Sequence, residues 1–454
     1  MRLSRSSLSA ALLALALPSA SQAANPPASD TPAPVAATRP ELKELLERSK
    51  QSHPRLPLPP PTEEELATAK ARAGQGPMTG IINNGRMRKL YLPPEVLGGG
   101  FMREPDPAMT LNNTFKTMFF WIVSRANNCT YCQGHQEVKL SGDGVKEDTI
   151  AALDGDWSEF TEAERAAFAF TRKLTYEPNR ISDADIDRLR KHYTDLQILE
   201  IITSVGGFNA MNRWTGSLAI PQEGHRVYLT PTAEKYKAVR SQVAPLPAEA
   251  SSAASTAPVC AKPADRGPLE THAQVDAALD AARKRSPRLP LASQEQARGV
   301  VPTDWSGSDP LPEWVRLLAN FPKGGKAWVA QTYYTETKGR LSPKLKAAIA
   351  YVAARNDRAW YALGHARQRL KELGLNDDAI DSLDQPGESI PQPERAVLAL
   401  ARKLTVDPAL ITDADIEGLR KHYSDQEVAE IIHHVTQAAF FDRLTEASGL
   451  RLER

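Results

Sequence analysis

This 454-residue chain reads as an all-α protein made of two tandem helical domains. Three observations lead there: the chain repeats itself, its apolar residues recur at helical spacing, and strand-like alternation is scarce. Shifted by 230 residues, ERAAFAFTRKLTYEPNRISDADIDRLRKHYTDLQILEII (164–202) aligns without a gap on ERAVLALARKLTVDPALITDADIEGLRKHYSDQEVAEII (394–432), with 23 of 39 positions identical. The same shift places Arg125 on Arg355, Tyr131 on Tyr361, Gly134 on Gly364, His135 on His365 and Arg213 on Arg443. Upstream, SHPRLPLPPP (52–61) meets RSPRLPLASQ (285–294) at a shift of 233, so about three residues were gained or lost between.

In chain order, residues 1–23 combine a basic start (Arg2, Arg5), an apolar run from Leu8 to Leu17 and the small-residue site Ser21-Gln22-Ala23. That pattern is a secretory signal peptide, and the run is too short to span a membrane. The expected location is therefore the periplasm or the exterior. Residues 24–41, rich in Pro, Ala and Ser, predict a disordered leader. An N-terminal domain follows over 42–228, then a Pro/Ala-rich linker over 229–268, then a C-terminal domain over 269–454. Segments 75–108 and 300–325 read as irregular arms.

Within each copy the helices announce themselves by their starts. Thr194-x-x-Gln197 and Ser424-x-x-Glu427 are capping boxes ahead of long apolar stripes, the first carrying Leu196, Leu199, Ile202 and Val205. Thr161-x-x-Glu164 starts another helix, Ser182 and Thr412 cap a short one, and Pro178 and Pro408 separate neighbours. Charge is balanced, 56 Lys+Arg against 55 Asp+Glu, which argues against a nucleic-acid or anionic-membrane binder. Three cysteines are too few for a disulfide framework.

Two of those cysteines fall in NNTFKTMFFWIVSRANNCTYCQGHQEVKL (112–140). The apolar helical pattern from Thr114 to Val123 is interrupted at Asn127-Asn128, and Asn128 is expected to cap a new helix with Cys129 in its first turn and Cys132 one turn on. A helix N-terminus stabilises a thiolate, and i, i+3 spacing puts both sulfurs on one face, so the pair can cycle between dithiol and disulfide. Haem attachment would need His directly after the second cysteine, whereas Gln133 and Gly134 precede His135. Zinc on Cys129, Cys132 and His135 lacks a fourth ligand at the usual spacings. A structural disulfide closing so small a loop gains little, which favours redox chemistry. No cofactor and no metal are expected.

These residues, with the helical hairpin that follows, resemble the carboxymuconolactone decarboxylase and alkylhydroperoxidase-D-like family, and its peroxidase-related branch in particular. LSPKLKAAIAYVAARN (341–356) is similar to the family's helix before the motif, and FNAMNRW (208–214) to its closing helix. The resemblance covers about 110–220 and 340–450. It implies all-α domains that reduce peroxides without cofactor or metal and that assemble through helix packing, here as an internal pseudo-dimer of the two copies. It also implies a glutamate twelve residues before the first cysteine and a histidine four after the second. Those positions hold Thr117 and Gln136, with His135 one residue earlier. The family pattern favours Cys132 as the attacking thiol, the helix-terminus argument favours Cys129, and sequence leaves both open.

In the second copy Ala359 and Ala362 replace the cysteines, so thiol chemistry belongs to the first. His135 is divided between proton shuttle and packing, because His365 persists without thiols. Tyr131, Thr117 and Gln136 are candidates for a substrate pocket. The recurring arginines read as ion pairs of the fold, His433-His434 as a core or surface pair, and Cys260 as a lone linker thiol. The expected function is an exported peroxidase or thiol-disulfide oxidoreductase whose partners are a hydroperoxide and an external dithiol. The alternatives are a cofactor-free decarboxylase-type lyase working through histidine and arginine, and a non-catalytic binding module.

Overall fold

The computed structural model describes residues 29–72, 80–97, 106–246, 266–385, 387–388 and 390–453. The proposed signal peptide and Cys260 lie outside them. The described residues form twenty-one α-helices and no strand, the sole β-type pairing being an isolated bridge between Thr38 and Arg240.

The first half begins with α1 (Arg39–Arg48), α2 (Glu63–Ala71), α3 (Asn83–Tyr91) and α4 (Pro94–Leu97). Its core is α5 (Asn113–Ala126), α6 (Thr130–Gly142), α7 (Glu147–Ala152), α8 (Glu162–Tyr176), α9 (Asp183–Arg190) and α10 (Asp195–Ser217), and α11 (Glu234–Lys237) closes it. The second half opens with α12 (His272–Arg283), α13 (Gln294–Arg298), α14 (Glu313–Leu318) and α15 (Pro322–Thr337). Its core is α16 (Pro343–Asp357), α17 (Trp360–Glu372), α18 (Asp377–Asp381), α19 (Gln392–Val406), α20 (Asp413–Arg420) and α21 (Asp425–Ala447). The starts of α6 and α17, α8 and α19, α9 and α20, and α10 and α21 are each 230 residues apart.

The capping boxes form as their sequences demand. Thr161, Ser182, Thr194, Thr412 and Ser424 each exchange hydrogen bonds with the residue three positions on. The two 23-residue helices α10 and α21 pack against each other at the centre and join the halves. Gly206 permits their close approach, since a Cβ there would stand 3.1 Å from the Phe440 ring and 3.4 Å from its carbonyl oxygen. FNAMNRW is thus the second half of one long helix rather than a separate element.

Four segments differ from the sequence reading. The arm over 75–108 contains α3 and α4, and the one over 300–325 contains α14 and the start of α15, because each places apolar side chains such as Met87, Val96, Val315 and Leu318 in the core. The end of the leader is built into the fold: Ala36 is buried and its carbonyl accepts from Arg125 at 2.8 Å, while Arg39 forms a two-pronged bond to Glu137 at 2.6 Å. Up to residue 246 the linker does likewise. Tyr236 donates to Glu159 at 2.7 Å, and the carbonyl of buried Val243 accepts from Tyr176 at 2.9 Å. Proline content marked these stretches as solvated, yet an irregular segment can pack once its backbone groups find partners.

Candidate functional site

The α5–α6 corner places the two cysteines. Asn128 takes left-handed backbone at φ 50°, which an asparagine tolerates better than most residues, and the cap falls one residue later than the sequence suggests. Cys129 itself is the N-cap of α6, its sulfur accepting from the Cys132 amide at 3.5 Å. Both cysteines are free and buried. From α10, the Thr215 hydroxyl lies 3.0 Å from Cys129 Sγ and 3.0 Å from Cys132 Sγ, so one oxygen bridges both sulfurs.

This arrangement separates two thiols of one motif. Burial opposes a thiolate at Cys129. Hydrogen bonds from the Cys132 thiol, the Thr215 hydroxyl and the amides of Cys132 and Tyr131 outweigh it and bring that thiol below its ordinary value. Cys132 is pushed well above, first by burial and then by the hydrogen bond and charge of Cys129. Of the two, Cys129 is the readier to lose its proton and Cys132 the readier to keep it.

Cys132 lines a cavity of about 900 Å³, and Cys129 lies behind it. Tyr131, His135, Gln136 and Thr117 share the wall with Cys132, so the structure gathers the sequence candidates other than Cys129 around one space. Thr117 and Gln136 are neutral and tied to backbone: Thr117 donates to Asn113 O at 2.8 Å and Gln136 to Cys132 O at 3.3 Å. The second half completes the wall through Trp328 and Gln331 of α15 and Thr436, Gln437 and Phe440 of α21. A smaller surface recess of about 420 Å³ at Leu58, Leu90 and Tyr91 lies away from the thiols.

His135 faces a residue that sequence reasoning missed. Its Nε2 lies 2.9 Å from Glu223 Oε2, and the same carboxylate accepts from Tyr131 Oη at 2.8 Å, Arg226 Nε at 2.8 Å and the Asn83 amide at 3.1 Å. Burial raises the Glu223 pKa, but His135, Arg226 and Tyr131 overcome it and hold the group at about 2. His135 is lowered by burial, against the pull of Glu223, which keeps the ring neutral with a proton on Nε2 for the carboxylate.

The second half repeats this cluster without sulfur. Tyr361 Oη donates to Glu453 at 2.9 Å, His365 Nε2 lies 3.1 Å from the same side chain, and the Glu313 amide donates to it. Gly134 and Gly364 serve the same junction. A Cβ on Gly134 would stand 2.2 Å from Gln222 Nε2, and one on Gly364 would stand 2.4 Å from Leu452 Cδ2. Each half thus docks the tail that follows its last long helix onto its motif helix through tyrosine, histidine and glutamate. The signal in the sequence was Glu223 and Glu453 themselves, which keep the 230-residue spacing where their surroundings do not.

Other sequence candidates find structural places. Arg125 pairs with Asp154 at 3.0 Å, Arg355 with Glu270 and Asp384, and Arg443 with Asp357 at 3.0 Å. Arg213 departs from the expected ion pair and bonds Asn209 and the Thr405 carbonyl. His433 and His434 are buried, and burial takes His434 down to about 3. Among the described residues no three His, Cys, Asp or Glu side chains group as metal ligands, and no helix is long and apolar enough to cross a membrane.

No family model matches the chain. The uncharacterized protein YdfG of Bacillus subtilis (strain 168) is 26% identical over 108 residues, 23% of this chain and 73% of that protein. Among solved structures, the debrominase Bmp8 without ligand is 18% identical with a TM-score of 0.30. A variant of it in complex with 2,3,4-tribromopyrrole is 17% identical, also at 0.30. Each match covers 41% of this chain and 90% of the debrominase.

Proposed function

We propose that the protein is an exported thiol oxidoreductase that reduces hydroperoxides by cycling Cys129 and Cys132 between dithiol and disulfide. The observation that carries this is the bridging of both sulfurs by Thr215 with only Cys132 open to the cavity. A sheltered Cys129 whose pKa is lowered, beside an accessible Cys132 whose pKa is raised, divides the labour between base and nucleophile.

The Cys132 proton passes to the Cys129 thiolate as Cys132 Sγ takes the terminal oxygen of the peroxide and the O–O bond breaks. The alkoxide leaves and takes a proton from solvent. Cys129 Sγ then attacks the sulfenic acid on Cys132, forming the disulfide and releasing water. One hydroperoxide and two thiols thus give one alcohol, one water and one disulfide, which an external dithiol must reduce. His135 is committed to Glu223 and holds the tail against α6, so its part is to position the wall of the site.

Mass mapping of the reduced mature protein before and after cumene hydroperoxide tests the cycle. The expected result is a peptide pair linked through Cys129 and Cys132, no peroxide consumption by Cys132→Ser, and a dimedone-trapped sulfenic acid on Cys132 in Cys129→Ser. Peroxide or disulfide turnover that survives loss of both thiols overturns the reading.

A further inference from the structure

The cavity beside Cys132 holds more positive charge than it neutralises. Of its charged wall groups, Asp106 accepts the amides of Lys323 and Gly324 at 2.8 and 2.9 Å, and Lys116 pairs with Glu200 at 2.7 Å. Arg88 and Lys139 have no carboxylate within ion-pair distance among the described residues. The Arg88 guanidinium is half-buried, lies 6.0 Å over the Trp214 ring, and gives one N–H to Val96 O at 3.3 Å. The remainder of its five donors meet no acceptor among the described residues. Burial lowers its pKa to about 10, so it stays charged at neutral pH.

The fold does not require that charge. At the matching position of the second half, 230 residues on, stands Leu318, which is fully buried. A cation that desolvates without a partner costs stability, and it is retained where a ligand supplies the counter-charge. Part of the wall is aromatic: Trp214 lies beneath Arg88, Phe120 and Phe208 stack at 4.1 Å, and Trp328 and Phe440 enter from the second half. Volumes of about 300–1,000 Å³ with an apolar lining and few polar groups suit one small organic molecule.

We infer that this cavity binds an organic anion, an acid with an apolar body, whose acid group is taken by Arg88 with Lys139 beside it and whose body lies on the aromatic wall next to Cys132. The site deepens the peroxidase reading, naming its substrate as an anionic hydroperoxide, but the binding itself needs no thiol chemistry.

Calorimetric titration of the full mature protein with phenylbutyrate and with its uncharged amide tests the inference without turnover. The acid should bind at least about tenfold more tightly than the amide, as expected for one charge-assisted hydrogen bond. Cys132→Ser should keep that preference, Arg88→Lys should keep most of it, and Arg88→Leu, with unchanged circular dichroism, should lose it. Equal affinity for acid and amide in the wild-type protein, no binding of either, or a preference that survives Arg88→Leu each overturns the site. Loss of peroxide turnover with an intact preference, or the reverse, tells failure of the thiol cycle from failure of the anion site.

Discussion

Arg443 of α21 donates across the centre of the molecule to the Thr175 carbonyl of α8 at 2.8 Å. Arg213 of α10 makes the reciprocal bond to the Thr405 carbonyl of α19 at 3.0 Å. Both guanidinium groups are fully buried, and both bonds close the C-terminal turn of a helix in the other half.

Arg443 also neutralises Asp357, which is buried with it. Arg443→Met should cost less than the about 3–5 kcal/mol of stranding a buried charge outright, because Arg266 stays paired with Asp357 at 2.7 Å. Adding Asp357→Asn, which copies Asn127 of the first half, also takes the carboxylate partner of Arg266 and should lower stability further. Urea unfolding of the two variants checks this, and equal midpoints for the single and double variants would contradict it.

Thr215 is the hydroxyl that both sulfurs share. Thr215→Val keeps the shape and removes the bond, which for a charged partner is worth about 1.5–3 kcal/mol. The ultraviolet absorbance of the Cys129 thiolate should then appear at higher pH in the variant than in the wild-type protein, by about 1–2 pH units. An unchanged profile would leave the backbone amides as the source of Cys129 acidity.

Acid should loosen the tail at Glu223. Its folded pKa of about 2 lies below the ordinary 4.5, so its contribution is present above 4.5 and is lost as pH falls toward 2, up to about 3 kcal/mol for a group this buried. His135 works in the same direction, since its folded pKa lies below 6.5 and the unfolded chain takes up the proton first. Melting temperature should fall more steeply between pH 5 and pH 3, taken as about the carboxylate range, in the wild-type protein than in Glu223→Gln. Parallel curves would remove Glu223 from the account.

Gly134→Ala should disturb the same junction without touching a titratable group. The new methyl meets Gln222, whose Nε2 is already held by the carbonyls of Thr130 and Tyr131, and Tyr228 Oη at 2.7 Å. An overpacking cost of about 1–3 kcal/mol is expected, with faster proteolysis within 219–230. Retained wild-type protection would show that the tail can shift aside.

What sequence conveyed followed from range. The capping boxes, the α5–α6 corner and the cysteine pair are encoded within a few residues, and they form as read, apart from the one-residue move of the cap from Asn128 to Cys129. The cavity was not legible, because Arg88, Phe208 and Phe440 meet only after α3, α10 and α21 have packed. Glu223 was hidden differently. It sits in an irregular tail with no periodicity, and only its spacing from Glu453 marked it. The described ends of the leader and linker pack, because proline excess reports backbone stiffness and not whether a segment finds a surface to lie on.

Trp328 and Phe440 belong to the half that has no thiols, yet they wall the cavity that Cys132 faces. In a ring or pair of identical chains every substitution appears once per site, so a residue cannot be changed for one neighbour and spared for another. Joining the halves end to end lifts that restriction. The sulfur-free half is free to drift in the residues it lends to the cavity, so the shape of that space can change while the cysteine corner stays fixed.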